Sequence, residues 1–286
     1  NLSDILSQLI RTTFIPKKNH RFIIADFSAI EARIIAYLSD EKWRIDVFNT
    51  HGKIYEASAS KMFKVDINEI TKESELRQKG KIAELALGYG GSVNALISMG
   101  ALEMNLQEDE LLHLVQRWRN VNINIKNFWY NVGNAALETV SKQKPMRVGK
   151  ITFEYYDNYL FIKLPSGRKL SYFNPMLKRN IYGKESLTYE GIATNKKWQR
   201  IETYGPKLVE NIVQGISRDI LAHAMMNLKR RNFKIVMHVH DEVVLEVKKN
   251  QVTVEEICEI ITIPPPYAED LCLKAEAYKC DFYKKE

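Results

Sequence analysis

Cysteine is scarce in this chain. Cys258, Cys272 and Cys280 are all there is in 286 residues, none in C-x-x-C spacing, so neither a disulfide framework nor a zinc site is indicated. They read as packing residues in a reducing compartment. Long apolar runs are missing too. No stretch approaches the roughly 18 residues of a membrane span, and the N-terminus, with Asp4 and no cleavage-site pattern, does not read as a signal peptide. The expectation is a cytoplasmic protein without a membrane partner. Internal repeats and low-complexity tracts are absent as well. Acidic residues are outnumbered, 35 Asp and Glu against 42 Lys and Arg, for a net charge of +7. That surplus favours a polyanionic partner such as nucleic acid, although many basic proteins never meet one. With 45% hydrophobic and 27% charged residues the chain is globular rather than disordered, and it is long enough for two lobes. It starts at Asn1 rather than Met, as expected of one piece of a longer polypeptide.

Along the chain, 21–27 has a strand pattern and 29–39 a helix pattern, with Ile30, Ile34, Ile35 and Leu38 on one apolar face. Helical patterns follow at 53–63, 76–99 and 108–140. At 151–173, Asp157-Asn158 and Pro165-Ser166-Gly167 punctuate strand-forming runs, which predicts a three-strand meander. Helix returns at 206–231. The run 234–247 reads as a hairpin whose bend holds His240, Asp241 and Glu242, and a helix near 253–262 and a strand before the C-terminus complete the pattern. The fold class expected is α+β, an antiparallel sheet built from both ends of the chain with a mostly helical part inserted between.

Two strand ends carry the chemistry. In FIIADFSAIEARIIAYLS, 22 to 39, Asp26 closes an apolar strand; in IVMHVHDEVVLEV, 235 to 247, Asp241 interrupts an apolar period-2 face. A carboxylate beside a buried strand is costly unless a cation or donors meet it, and two converging ends would hold a divalent metal for phosphoryl chemistry. Each feature has a plainer reading. Asp26 is a turn residue, Ser28 and Glu31 form an S-x-x-E capping box, and 240–242 is a solvated bend. A metal phosphohydrolase using His238, His240 and Asp241 is a further alternative, although His20, His51, His113 and His223 show no ligand spacing with one another. In LRQKGKIAELALGYGGS, 76 to 92, Arg77, Lys81, Leu85 and Tyr89 recur every fourth residue. Two cations one turn apart suit a triphosphate; a solvated helix face is the plainer reading of this run taken alone.

Taken in order, Asp with S-x-x-E-x-R, then R-x-x-x-K followed by Y-G, then H-D-E resemble family A DNA polymerases, and look most like a phage or prophage enzyme. DFSAIEAR is similar to that family's first palm motif, RQKGKIAELALGYG to its fingers helix, NIVQGISRDIL (211 to 221) to a palm helix, and VHDEVVLEV to its last palm motif. The resemblance covers roughly 9–247 and implies palm at 1–43 and 205–286 with fingers at 44–204. It implies that Asp26 and Asp241, with the Phe27 carbonyl, hold two Mg²⁺ ions (Mn²⁺ as a substitute), supported by Glu242. Arg77 and Lys81 would grip an incoming dNTP, with Lys81 also protonating pyrophosphate. Tyr89 and Gly90 would admit the template base, and Glu31 would exclude a 2′-hydroxyl. Gln214, Arg33 and His240 would hold the primer end of a primer-template DNA, Gln214 through minor-groove acceptors that every base pair shares. Leu85 stands where the family commonly has Phe or Tyr, and Tyr55 where bacterial enzymes carry His. The thumb and any proofreading exonuclease would lie upstream or on a separate chain. Basic clusters at Lys142, Lys144, Arg147 and Lys150, and at Lys178, Arg179 and Lys184, would follow template phosphates or be solvated surface. A weakly active fragment that only binds primed DNA, and a single-subunit RNA polymerase, are the competing readings; Glu31 and H-D-E favour the DNA enzyme over the latter.

Overall fold

The computed structural model describes residues 6, 9–104, 106–180 and 183–284. The chain separates into two compact units, one made of Asn1–Glu31 with Ile216–Glu286, the other of Ala32–Gly215. The sequence expectation put the changes at 43/44 and 204/205. The boundaries between the compact units lie within α1 (Ile30–Ser39) and α8 (Gly205–Arg230).

The first unit is built on an antiparallel sheet of order β10-β1-β9-β8, comprising β1 (His20–Phe27), β8 (Lys234–Val239), β9 (Glu242–Lys248) and β10 (Ala275–Cys280). Strands from the two chain ends lie side by side, because β1 is central and its apolar run FIIA needs cover on both faces. On one face Phe22 and Ile24 join Val244, Cys280 and Tyr283 in a buried cluster. On the other, Ile23, Ala25, Val243 and Leu245 are almost fully buried. Helix α9 (Val254–Ile261) packs on β10 and β1. It starts in a capping box, Thr253 accepting from the Glu256 amide and Glu256 from the Thr253 amide, which satisfies two otherwise orphaned donors.

The second unit joins a helical group to a second sheet. The helices are α2 (Lys42–Asn49), α3 (Ile54–Phe63), α4 (Glu75–Leu87), α5 (Val93–Ser98), α6 (Glu108–Val121) and α7 (Ile123–Lys142). Two expected helices are each split. The pattern over 76–99 breaks at Gly88–Ser92, where Gly90 has φ +76°, and 108–140 breaks at Asn122, buried at the junction of α6 and α7. The expected meander at 151–173 is larger than the sequence implied: six antiparallel strands in sequential order, β2 (Met146–Val148), β3 (Ile151–Tyr156), β4 (Tyr159–Lys163), β5 (Lys169–Arg179), β6 (Glu185–Ile192) and β7 (Trp198–Thr203). The extra strands escape the period-2 signal because they carry few apolar residues among polar ones, even where these are buried, as Ser186, Thr188 and Thr203 are, and because a bulge between Phe173 and Met176 breaks the alternation. The Asp157-Asn158 turn behaves as its residues dictate, both with φ near +55°, the left-handed pair that a two-residue hairpin needs. Helix α7 packs along β2 and β3 and covers Ile151 and Phe153, both fully buried. No helix among the described residues is long and apolar enough to cross a membrane.

Candidate active site

Register brings the two acidic strand ends together. Asp26 on β1 is the cross-strand partner of Glu242 on β9, and β8 and β9 are joined by the two-residue turn His240-Asp241, closed by the pair Val239 and Glu242. His240 takes φ +54° to make that turn; Glu242, expected in the bend, is the first residue of β9. Asp241 therefore stands one residue beyond the partner of Asp26, and two aspartates 215 positions apart in sequence sit at the same end of adjacent strands. On its other side Asp26 pairs with Glu276 of β10, a residue the sequence reading did not single out. Like charges directly across a sheet are destabilising, so the row Glu276, Asp26, Glu242 favours a cation or strong donors.

One donor is present. Glu242, only 6% exposed, accepts a hydrogen bond from the Tyr283 hydroxyl at 2.7 Å. Burial, then the neighbouring carboxylate, pushes the Tyr283 phenol up to about 12, so it stays protonated as a donor. Tyr283 is held in turn by its amide donating to the Phe14 carbonyl at 2.9 Å and by the Arg11 guanidinium 5.9 Å above its ring. It lies beyond the stretch of resemblance, which is why the sequence reading missed it.

The donor set suits a hard divalent cation. Asp26 and Asp241 are half-buried, and Phe27, the residue after Asp26, is the last of β1. Among the described residues no three His, Cys, Asp or Glu side chains form a group able to hold a metal by themselves. Mg²⁺ commonly takes only one or two protein carboxylates and fills its shell with water and substrate phosphate, so two aspartates fit it, whereas a histidine-rich hydrolase site is not formed. His238 faces the Arg218 guanidinium at 3.3 Å, a poor neighbour for a metal ligand. Glu31 lies in the first turn of α1.

In the second unit, Arg77 and Lys81 stand one turn apart on α4. Ser74 caps that helix, its hydroxyl accepting from the Arg77 amide at 3.2 Å. The Arg77 Nε donates to Glu56 Oε1 at 2.7 Å, and its guanidinium lies 5.6 Å from the Tyr55 ring centroid, so Arg77 and Tyr55 are neighbours as residues of one site would be. Burial alone would raise the Glu56 carboxyl; the bond from Arg77 and further hydrogen-bond and charge contributions outweigh it and hold that group below its ordinary value. Leu85 is 52% exposed on the same helix. Tyr89 is not on the helix as the four-residue spacing suggested, because α4 ends at Leu87; Tyr89 and Gly90 lie in the turn that follows. That turn is pinned by Trp129, whose Nε1 donates to the Gly88 carbonyl at 3.1 Å, and by Arg119, which donates to the Gly91 carbonyl at 3.0 Å.

What fixes α4 is a residue the sequence reading passed over. Glu84 and Arg44, 4% and 2% exposed, form a buried two-point ion pair. Glu84 Oε1 also accepts from Ser58 at 2.8 Å and Trp118 at 2.9 Å, and Arg44 donates to Asn122 at 3.0 Å. The network ties α4 to α2, α3 and α6. A signal was available: Glu84 follows Gly80 by four residues and precedes Leu87 by three, so it shares the buried face of the helix that borders the Arg77 stripe.

Gln214 is exposed on α8. The next carbonyl, Gly215, accepts from Arg168 at 2.6 Å, so the Pro165–Arg168 turn anchors the helix beside it. Arg33 differs from expectation: it is 3% exposed with its guanidinium 4.5 Å over the Phe48 ring, so it is packed inside rather than presented on a surface. Of the basic clusters, Lys142 pairs with Glu138 at 2.8 Å and Lys150 lies 4.9 Å over the Tyr37 ring.

The family model for DNA polymerase family A matches residues 2–263, and the chain belongs to that family. It is 52% identical over 284 residues to the DNA polymerase of Bacillus phage SP02, covering 99% of this chain and 44% of the relative. To DNA polymerase I of Caldicellulosiruptor bescii it is 28% identical over 246 residues, 84% of this chain and 24% of that one. The fold matches the POL domain of Pol1 from M. smegmatis, solved in complex with DNA primer-template and dNTP, with a TM-score of 0.66 at 22% identity, covering 96% of this chain and 42% of that one. The chain thus spans less than half the length of these relatives.

Proposed function

We propose that this chain carries the catalytic residues of template-directed DNA synthesis, in which dNTPs are added to a primer 3′-OH and pyrophosphate is released. The observation that carries the reading is the strand register that sets Asp26 and Asp241 at one sheet edge. Asp26, Asp241 and the Phe27 carbonyl would hold two Mg²⁺ ions, which when bound lower the pKa of the primer hydroxyl and neutralise the β,γ-phosphates.

The chain's own residues do the rest. Tyr283, by donating to Glu242, satisfies one oxygen of that carboxylate and fixes the side chain beside Asp26. Arg77, restrained by Glu56, and Lys81 one turn further bind the triphosphate; Lys81, with an exchangeable proton, supplies it to the departing pyrophosphate. Tyr55 offers a hydroxyl to the same phosphates. Tyr89 and Gly90 receive the template base. Glu31 stands under the sugar and excludes a 2′-hydroxyl, while Gln214 and His240 steady the primer end.

The chain with a primed template, Mg²⁺ and dNTPs at low salt should release pyrophosphate only when template is supplied. Release without template would reject the reading in favour of a hydrolase. Glu31→Ala should raise ribonucleotide incorporation, and equal use of dNTP and rNTP by the unaltered chain would assign it to RNA synthesis.

A further inference from the structure

The second sheet carries a chain of aromatic rings on one face that the reaction above does not use. Tyr156 on β3 stacks on Phe161 of β4 with centroids 4.4 Å apart; Phe161 meets Tyr159 at 5.4 Å; Tyr159 meets Phe173 of β5 at 5.0 Å; and Phe173 meets Trp198 of β7 at 6.2 Å. Alternation puts these side chains on the face opposite Phe153, Leu160 and Ile162, the buried positions. The row crosses from β3 to β7, a span of roughly 20 Å at ordinary strand spacing. It is not sealed: Tyr156 is 43% and Trp198 60% exposed.

Cross-strand aromatic pairs stabilise a sheet by themselves, but that does not require an indole left mostly in water on the outermost strand. Cations accompany the rings. Lys169 lies 5.1 Å from the Tyr156 centroid and 5.5 Å from that of Phe161, and Arg200 crosses the row beside Phe173, donating to the Asn174 carbonyl at 3.0 Å. Their carboxylate partners are Glu154 at 2.6 Å and Glu190 at 2.7 Å. Lys163 shares the face by register with Lys169, and Lys196 and Lys197 form the turn before Trp198. Stacking rings edged by a surplus of positive charge are the recognition chemistry of an unpaired polynucleotide, whose bases stack on the rings while its phosphates meet the cations.

We propose that this face is a binding platform for single-stranded DNA. The choice of DNA over RNA rests on the function proposed above; the stacking surface does not. Charge complementarity selects this occupant over a protein, since an apolar docking face would not be ringed by lysines.

The test uses Trp198 as its own reporter. Trp118 and Trp129 are buried, so Trp198 is the most exposed indole among the described residues, and titration with oligo(dT) of about twelve nucleotides, in EDTA and without dNTP, should quench the chain's fluorescence. Trp198→Phe should abolish the quench while retaining affinity measured by anisotropy of labelled oligonucleotide. Trp198→Ala combined with Tyr156→Ala should weaken that affinity by roughly fivefold or more, and an oligomer of abasic sites should bind the unaltered chain correspondingly less well than oligo(dT). Circular dichroism melts of the variants check that the sheet is kept. No quench, a quench that survives Trp198→Phe, or equal binding of abasic and dT oligomers would overturn the proposal and leave a protein partner as the reading of this face. Because neither metal nor nucleotide is present, these outcomes are independent of whether the chain extends a primer.

Discussion

At the scale of single residues, buried polar groups separate structural carboxylates from the candidate chemical ones. Glu84 shares its charge with Arg44 and accepts from Ser58 and Trp118. Removing one partner of such a pair leaves an uncompensated buried charge, typically costing about 3–5 kcal/mol. Glu84→Ala should lower unfolding stability by that order in urea titration, and a change under about 1 kcal/mol would show that the network is not what holds α4. Tyr283 gives a second prediction, with a sign. Its phenol rises in the folded state to about 12 from an ordinary 10. The native state therefore keeps a proton that the unfolded state loses, and the stabilisation is complete below about pH 10 and disappears as pH climbs toward 12. Tyr172, pushed up to about 12 by burial, contributes in the same window. Tyr283→Phe should flatten part of the alkaline decline in unfolding free energy; an unchanged slope would mean that the phenol is not raised by its burial and its bond to Glu242.

At the scale of elements, turns decide where the chemistry sits. Gly90 has φ +76°, and a Cβ there would lie 2.7 Å from two carbons of the Pro206 ring. Gly90→Ala should therefore destabilise by about 1–3 kcal/mol and reduce extension through the displaced Tyr89; a variant as stable and active as the parent would show that this turn is not constrained. Much of this level was legible in sequence. Asp26 at the end of FIIA, a bend at 240–242 that is one residue shorter in the structure, and the Asp157-Asn158 hairpin each followed from period and turn chemistry. Three features were not, for physical reasons. Tyr89 left the helix because a Gly-rich turn overrode a regular four-residue spacing. Strands β6 and β7 carry too few apolar residues to signal themselves. The burial of Arg33, which the resemblance implies at the primer end, has no sequence signal, because a cation–π contact with Phe48 gives a charged residue a buried place.

At the scale of the whole molecule, sequence-remote segments converge because β1 is central and must be covered. The row of Glu276, Asp26 and Glu242 is the visible cost of that topology, and a cation meeting Asp26 and Asp241 would relieve it. The net charge of +7 predicts that affinity for a primed duplex falls steeply with salt, as counterion release requires; a salt-independent Kd would argue against phosphate contacts. The most direct test of the central claim is single-turnover primer extension with Mg²⁺ by the chain, by Asp26→Asn, by Asp241→Asn and by the double variant. If the two carboxylates act as one metal-holding unit, each single substitution should cost on the order of 10³-fold or more and the double little beyond that. Extension that persists at the parental rate in either single variant would contradict the account.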